Sequence, residues 1–111
     1  MIPKARHMLL VRTSPLPGNE DEFARWYDGV HLAEVLAVPG FVSAQRFAAA
    51  DTGDGRKQYV AAYGIETDDI GATMARFERA RPGMSTTPAL DQSSVVLELL
   101  TAVTARIEPA V

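Results

Sequence analysis

The chain of 111 residues contains no cysteine. That excludes a disulfide, a thiolate nucleophile and a cysteine-ligated metal, and it fits a cytoplasmic protein. Basic residues are few and dispersed. Eleven Lys and Arg stand against fourteen Asp and Glu, giving a formal net charge of −3. A nucleic-acid groove needs a basic excess or stripe, so no nucleic-acid partner is expected. No stretch approaches the roughly 18 apolar residues of a membrane-spanning helix, so no membrane partner is expected either. The N-terminus, MIPKARHMLLVRTS, lacks the continuous apolar segment of a signal peptide and reads as a strand. There is no linker, internal repeat or low-complexity tract. What is present is an ordinary globular balance, 47% apolar and 23% charged, in a length that allows one domain over residues 1–111. So small a domain buries a modest share of its surface, which favours a dimer that shares the core.

Residues 5–13, ARHMLLVRT, alternate as a strand. Ala5, His7, Leu9 and Val11 face one way, Met8 and Leu10 the other, so both faces are expected to be covered. A Pro- and Gly-rich loop follows, then a helix from Asn19, with Asn19 and Glu22 at capping-box spacing and three acids in the first turn. Pro39-Gly40 stops it. Strands over 41–49 and 56–66 flank the turn residues 51–55 and form a hairpin. Thr67 caps a second helix whose buried face is Ile70, Thr73, Met74, Phe77 and Ala80, and Pro82-Gly83 ends it. A last strand covers 94–105. The order β-α-β-β-α-β is the ferredoxin-like α+β arrangement with an antiparallel sheet and helices on one face. Apolar residues on both faces of the last strand, Val95, Leu97 and Leu99 against Val96 and Leu100, call for a homodimer over the other face.

The first helix carries the chemistry. On a wheel of about 100° per residue, Phe23, Trp26, Val30, Ala33 and Ala37 form the apolar stripe, while Arg25, Asp28 and Leu32 fall on the far side. Tyr27, His31 and Glu34 share one edge of the stripe, at i, i+4 and i, i+3 spacings that bring side chains together. A histidine beside a carboxylate is an acid/base candidate, with Glu34 holding the tautomer and Tyr27 polarising a substrate oxygen. The plainer alternative has His31 and Tyr27 at the margin of a buried face and Glu34 solvated. Asp28, His31 and Glu34 do not make a metal site, because Asp28 and Glu34 lie about 120° apart on the wheel. Trp26 packs in the stripe, and His7 reads as a core histidine or a pocket wall. Arg46 needs an acid partner, Glu98 or a substrate carboxylate. Tyr59 and Tyr63 share a strand face. Gly53-Asp54-Gly55 is a turn and not a phosphate loop.

The string WYDGVHLAEVLAVPGF, Trp26 to Phe41, followed by Ala44, Arg46 and Phe47, resembles the EthD-like branch of the dimeric α+β barrel superfamily. A Trp-Tyr pair, a His four residues after the Tyr, a Pro-Gly-Phe stop and a downstream Arg-Phe form that pattern. The resemblance is strong over residues 5–50 and continues as topology through residue 107. It implies a dimer whose two sheets close into a barrel, with a pocket between each sheet and its helices. Carried over by position, His31 is the acid/base candidate and Tyr27 its neighbour, while Trp26 and Arg46 match family positions without a fixed role. The superfamily includes polyketide cyclases and dehydratases, muconolactone isomerases, cofactor-free quinone-forming monooxygenases and haem-degrading enzymes, so fold does not name the reaction.

The leading expectation is a cofactor-independent enzyme doing proton-transfer chemistry of isomerase, cyclase or dehydratase type on an apolar aromatic or polyketide-like substrate. His31, Tyr27 and Glu34 form its catalytic set. Phe23, Trp26, Phe47 and Tyr63 shape the pocket, with Arg46 and His7 as further substrate contacts. Two other readings stand beside it. One is a non-catalytic binding or accessory protein of an oxygenase pathway, and the other is a monooxygenase, cofactor-free or haem-using.

Overall fold

The alternation in ARHMLLVRT produces strand β1, Ala5–Thr13, at the centre of a four-stranded sheet. The computed structural model describes residues 5–50 and 55–110. The sheet order is β2-β3-β1-β4, with β2 at Phe41–Ala48, β3 at Tyr59–Thr67 and β4 at Val96–Thr101. Every pairing is antiparallel. β1 and β3 occupy the middle, so each helix must cross over a strand to reach the next edge. This is the split βαβ arrangement expected from the element order. Of the turn expected at residues 51–55, residues 51–54 lie outside the described residues.

Helix α1 runs through three consecutive segments, α-helical over Glu20–Trp26, π-helical over Tyr27–His31 and α-helical over Leu32–Leu36. Its N-terminus carries Glu20, Asp21 and Glu22, favoured by the helix dipole. The capping box is not formed, because Asn19 makes no side-chain cap bond. At the other end Gly40 takes φ +103, and a Cβ there would meet Thr73 Cγ2 at 2.9 Å. Only glycine supplies both that conformation and that approach, which lets the chain turn from helix into β2 against the second helix.

That second helix, α2, spans Ile70–Ala80 and is capped by Asp69, whose side chain accepts from the Ala72 N–H at 3.0 Å. Thr67 is therefore not the cap. Its hydroxyl instead accepts from the Asp69 N–H at 3.2 Å and from the Thr73 hydroxyl at 2.8 Å, tying the end of β3 to the helix. Thr73 and Phe77 bury the α2 stripe, with Ile70, Met74 and Ala80 packed against the core. The last two strands are shorter than the sequence pattern implied, since β3 begins at Tyr59 and β4 ends at Thr101.

The core lies between the helices and one sheet face, built from Leu9, Ala61, Tyr63 and Ile65 below and Phe23, Tyr27, Val35 and Phe77 above. Among the described residues nothing covers the other face. Met8 stands beside Leu100, both exposed, and the exposed Phe47 stands beside the half-buried Val60. Among the described residues no helix is long and apolar enough to cross a membrane.

Candidate active site

The π-turn decides what helix α1 presents. In an α-helix residues five apart point roughly 140° away from each other. Here the Leu32 N–H donates to the Tyr27 carbonyl, five residues back. That wider turn brings side chains at i and i+5 into line. Trp26 and His31 consequently stack, centroids 4.4 Å apart and planes 15° from parallel. Tyr27 meets the His31 ring edge-on at 5.3 Å.

The same turn overturns the uniform wheel. Val30 is 42% exposed, and Ala33 and Ala37 are exposed too, so these three are not in the buried stripe. Phe23, Tyr27 and Val35 form it instead, with Leu32 packed alongside. Asp28, assigned to the far side, reaches Arg46 with an N–O distance of 2.7 Å. Arg46 thus has its carboxylate partner from the helix above it and not from Glu98, while its Nε is buried without a hydrogen-bond partner among the described residues. Its guanidinium sits over the rings of Phe23, Tyr27 and Tyr59 at 5.0–5.5 Å.

His31 Nδ1 lies 3.3 Å from Glu34 Oε1. A carboxylate only accepts, so Nδ1 carries the proton and Nε2 keeps its lone pair. Glu34 is itself held by a loop residue. The Ser85 N–H donates to Oε2 at 2.8 Å and the Ser85 hydroxyl to Oε1 at 2.9 Å, while the Trp26 indole N–H donates to the Ser85 oxygen at 3.0 Å. Ser85 therefore ties the stacking ring and the carboxylate together. Nothing in its loop sequence, MSTTPALDQ, singles it out from Thr86 or Thr87.

Burial of the imidazole lowers the His31 pKa below its ordinary 6.5, partly opposed by the hydrogen bond and charge of Glu34 and reinforced by Arg81. Desolvation works against the Glu34 carboxylate, but the bonds from Ser85 and His31 bring it below the usual carboxyl range. His31 is thus neutral at pH 7. In an NMR titration its midpoint is expected below 6.5, and lower still in Glu34→Gln, which removes the opposing charge. A midpoint above 6.5 in the parent protein would contradict this environment.

His31 lines a cavity of about 470 Å³ between the helices and the sheet. Val11, Leu90, Leu97 and Val35 supply its apolar wall, and Trp26, Tyr27 and Tyr63 its aromatic one. The Tyr27 ring faces this space, the residue is buried, and burial raises the pKa of its hydroxyl, opposed in part by the nearby Thr13 hydroxyl. The Tyr63 hydroxyl is buried without a hydrogen-bond partner of good geometry, and desolvation together with the adjacent Tyr27 hydroxyl pushes its pKa far above the phenol range. Both phenols are protonated throughout the physiological range.

The remaining expected contacts divide by position. Phe23 is fully buried between α1 and the sheet, against Tyr27 and Tyr59, and is not on the cavity wall. Phe47 is 49% exposed on the opposite sheet face, because it alternates with Arg46 along β2. It shares no space with His31. His7 is buried at the far end of β1, sharing a hydrogen bond with Thr101 Oγ1 at 2.9 Å, a satisfied core histidine.

No family profile matches the sequence, and no curated protein matches it either. Solved structures match its shape. A haem degrader of Mycobacterium tuberculosis, MhuD, with two haems bound in its active site, is 17% identical, covering 90% of this chain and 98% of that one at a TM-score of 0.59. An ethyl tert-butyl ether D (EthD) family protein from Bacillus halodurans is 11% identical over 84% and 95%, with a TM-score of 0.56. A Streptomyces coelicolor monooxygenase in complex with nanaomycin D is 16% identical over 96% and 94%, with a TM-score of 0.57. The chain has the ferredoxin-like fold. Among proteins of this fold, the likeness to an EthD family structure agrees with the resemblance read from Trp26 to Phe47. At these identities the comparison carries the architecture and leaves the chemistry to the site.

Proposed function

We propose that this protein is a small-molecule enzyme in which His31 takes a proton from an apolar, oxygenated substrate of aromatic or polyketide type. One observation carries this reading: an imidazole, oriented through Nδ1 by Glu34, on the wall of a cavity of about 470 Å³ lined by apolar, aromatic and neutral polar side chains together with Arg81. A base whose pKa lies near the working pH is the efficient kind. Glu34 stabilises the imidazolium as it forms, and the stack on Trp26 fixes the plane of the ring. Isomerisation, cyclisation, dehydration and elimination all begin with this proton removal. Tyr27 serves by packing edge-on against His31.

The likeness to a monooxygenase holding nanaomycin D favours a second reading, in which the deprotonated substrate is a quinol that reacts with molecular oxygen. Haem fits this cavity poorly. Its two propionates call for two cations, and Arg81 is the only Lys or Arg among the described lining residues.

A panel of naphthols, quinols and β-keto aromatic compounds tests both readings. Proton exchange or rearrangement without oxygen uptake supports the first, and uptake with quinone formation supports the second. A Soret shift on haem titration would overturn both. We further infer a homodimer through the uncovered sheet face, where Met8, Phe47, Val96 and Leu100 are exposed across the strands. A patch of this kind marks an interaction surface. The parent protein is expected to run as a dimer in light scattering, and Leu100→Glu as a folded monomer. A parent protein that stays monomeric at micromolar concentration would contradict the inference.

A further inference from the structure

The protein as a whole is acidic, with fourteen Asp and Glu and a net charge of −3, yet the described cavity wall contains no Asp or Glu and one arginine, Arg81. Arg81 begins the short turn Arg81–Gly83 that directly follows α2. Its guanidinium also lies 5.7 Å from the Phe77 ring centroid, which fixes the side chain over the helix end. It holds the Glu78 carboxylate through Nη1 alone, at 3.1 Å from each oxygen. Both members of that pair are about half exposed, and an exposed ion pair of this kind contributes little. Among the described residues no other acceptor takes the remaining N–H groups of the guanidinium, which leaves them for a ligand. A planar guanidinium with free donors matches a carboxylate best, because the two forks bond in parallel.

We propose that the ligand of this cavity is an aromatic or polyketide-like acid whose carboxylate is held by Arg81 while its ring system lies on Val11, Leu90 and Leu97. This rests on the reading of the cavity as the substrate site and names the substrate class within it. Gln92 and Thr86 line the same space and supply neutral hydrogen-bonding groups for further oxygens on such a molecule. The arrangement has a catalytic consequence. Arg81 bears on His31 as a like charge when His31 is protonated. A carboxylate on Arg81 neutralises that cation, so the bound acid makes His31 a stronger base than it is in the free protein.

The probes are 2-naphthoate and 2-naphthamide, nearly equal in shape and different in charge. Calorimetry measures affinity, and the indole N–H resonance of Trp26, the single tryptophan and a cavity-wall residue, reports where binding occurs. Naphthoate is expected to bind the parent protein about tenfold more tightly than the amide, the scale of one charge-assisted hydrogen-bonded pair. Arg81→Gln is expected to erase that difference, and Arg81→Lys to keep part of it. Equal binding of the two probes by the parent protein, or a preference that survives in Arg81→Gln, overturns the assignment to Arg81 and leaves the cavity reading standing. A Trp26 resonance that moves with neither probe at millimolar concentration overturns the cavity reading itself, and this inference with it.

Discussion

Replacing His31 with alanine is expected to lower kcat/KM by about 10²–10⁴-fold, the usual contribution of a positioned general base, with little change in melting temperature. The two effects separate because of where the ring sits. It lies on the cavity wall, partly exposed, stacked on Trp26 and tied to Glu34. Its loss leaves no buried charge behind, since Glu34 keeps both bonds from Ser85. Glu34→Gln removes the charge that stabilises the imidazolium while leaving the base in place, so its loss in kcat/KM should be smaller. In the parent protein the active form is neutral His31. Activity should therefore fall as pH drops through a midpoint below 6.5, the direction in which burial moves this group. A folded His31→Ala protein with undiminished turnover on the substrate found by the panel would sink the mechanism.

The second large effect is structural. Phe23→Ala is expected to cost about 3–5 kcal/mol of stability, as for other fully buried phenylalanines. The ring has no exposure and packs between Tyr27 at 5.3 Å and Tyr59 at 5.8 Å. It also covers one side of the Arg46 guanidinium, so the truncation opens a cavity beside a buried charge. A domain of this size has about 5–15 kcal/mol in total, and the variant would sit close to unfolding at ordinary temperature. Urea denaturation of both proteins checks it. A change below about 1 kcal/mol would mean that the helix settles onto the sheet without that ring.

These two residues show how far the sequence could be read. Phe23 and His31 were both expected to serve the pocket, and only His31 lies on its wall. The strands were legible because β1 alternates with period two and because proline and glycine mark each helix end. The resulting order fixes the topology with few alternatives. The edge formed by Tyr27, His31 and Glu34 was legible because their spacings survive the π-turn. The buried stripe was not, since a wheel assumes one angle per residue and five residues here depart from it. Gly29, inside that segment, has open space around its missing Cβ, so no packing demand announced the change. The Asp28–Arg46 pair was hidden by the same assumption. Ser85 was hidden for a different reason: its role depends on a loop folding back over the helix, and local sequence carries no record of that contact.

The π-turn also makes the site sensitive to chain length. Between Trp26 and Val35 the helix holds more residues than the same path would need with α-helical bonding throughout. Deleting one residue, Gly29 for instance, would let the segment relax to an α-helix while both ends stay seated on the core. The imidazole, then four residues from the indole, would still share its face, and Tyr27, then three residues from His31, is the neighbour whose approach would change. The extra residue therefore sets how Tyr27 meets the imidazole, edge-on at four residues' spacing, while the stack of His31 on Trp26 is the part of the site that its loss would spare.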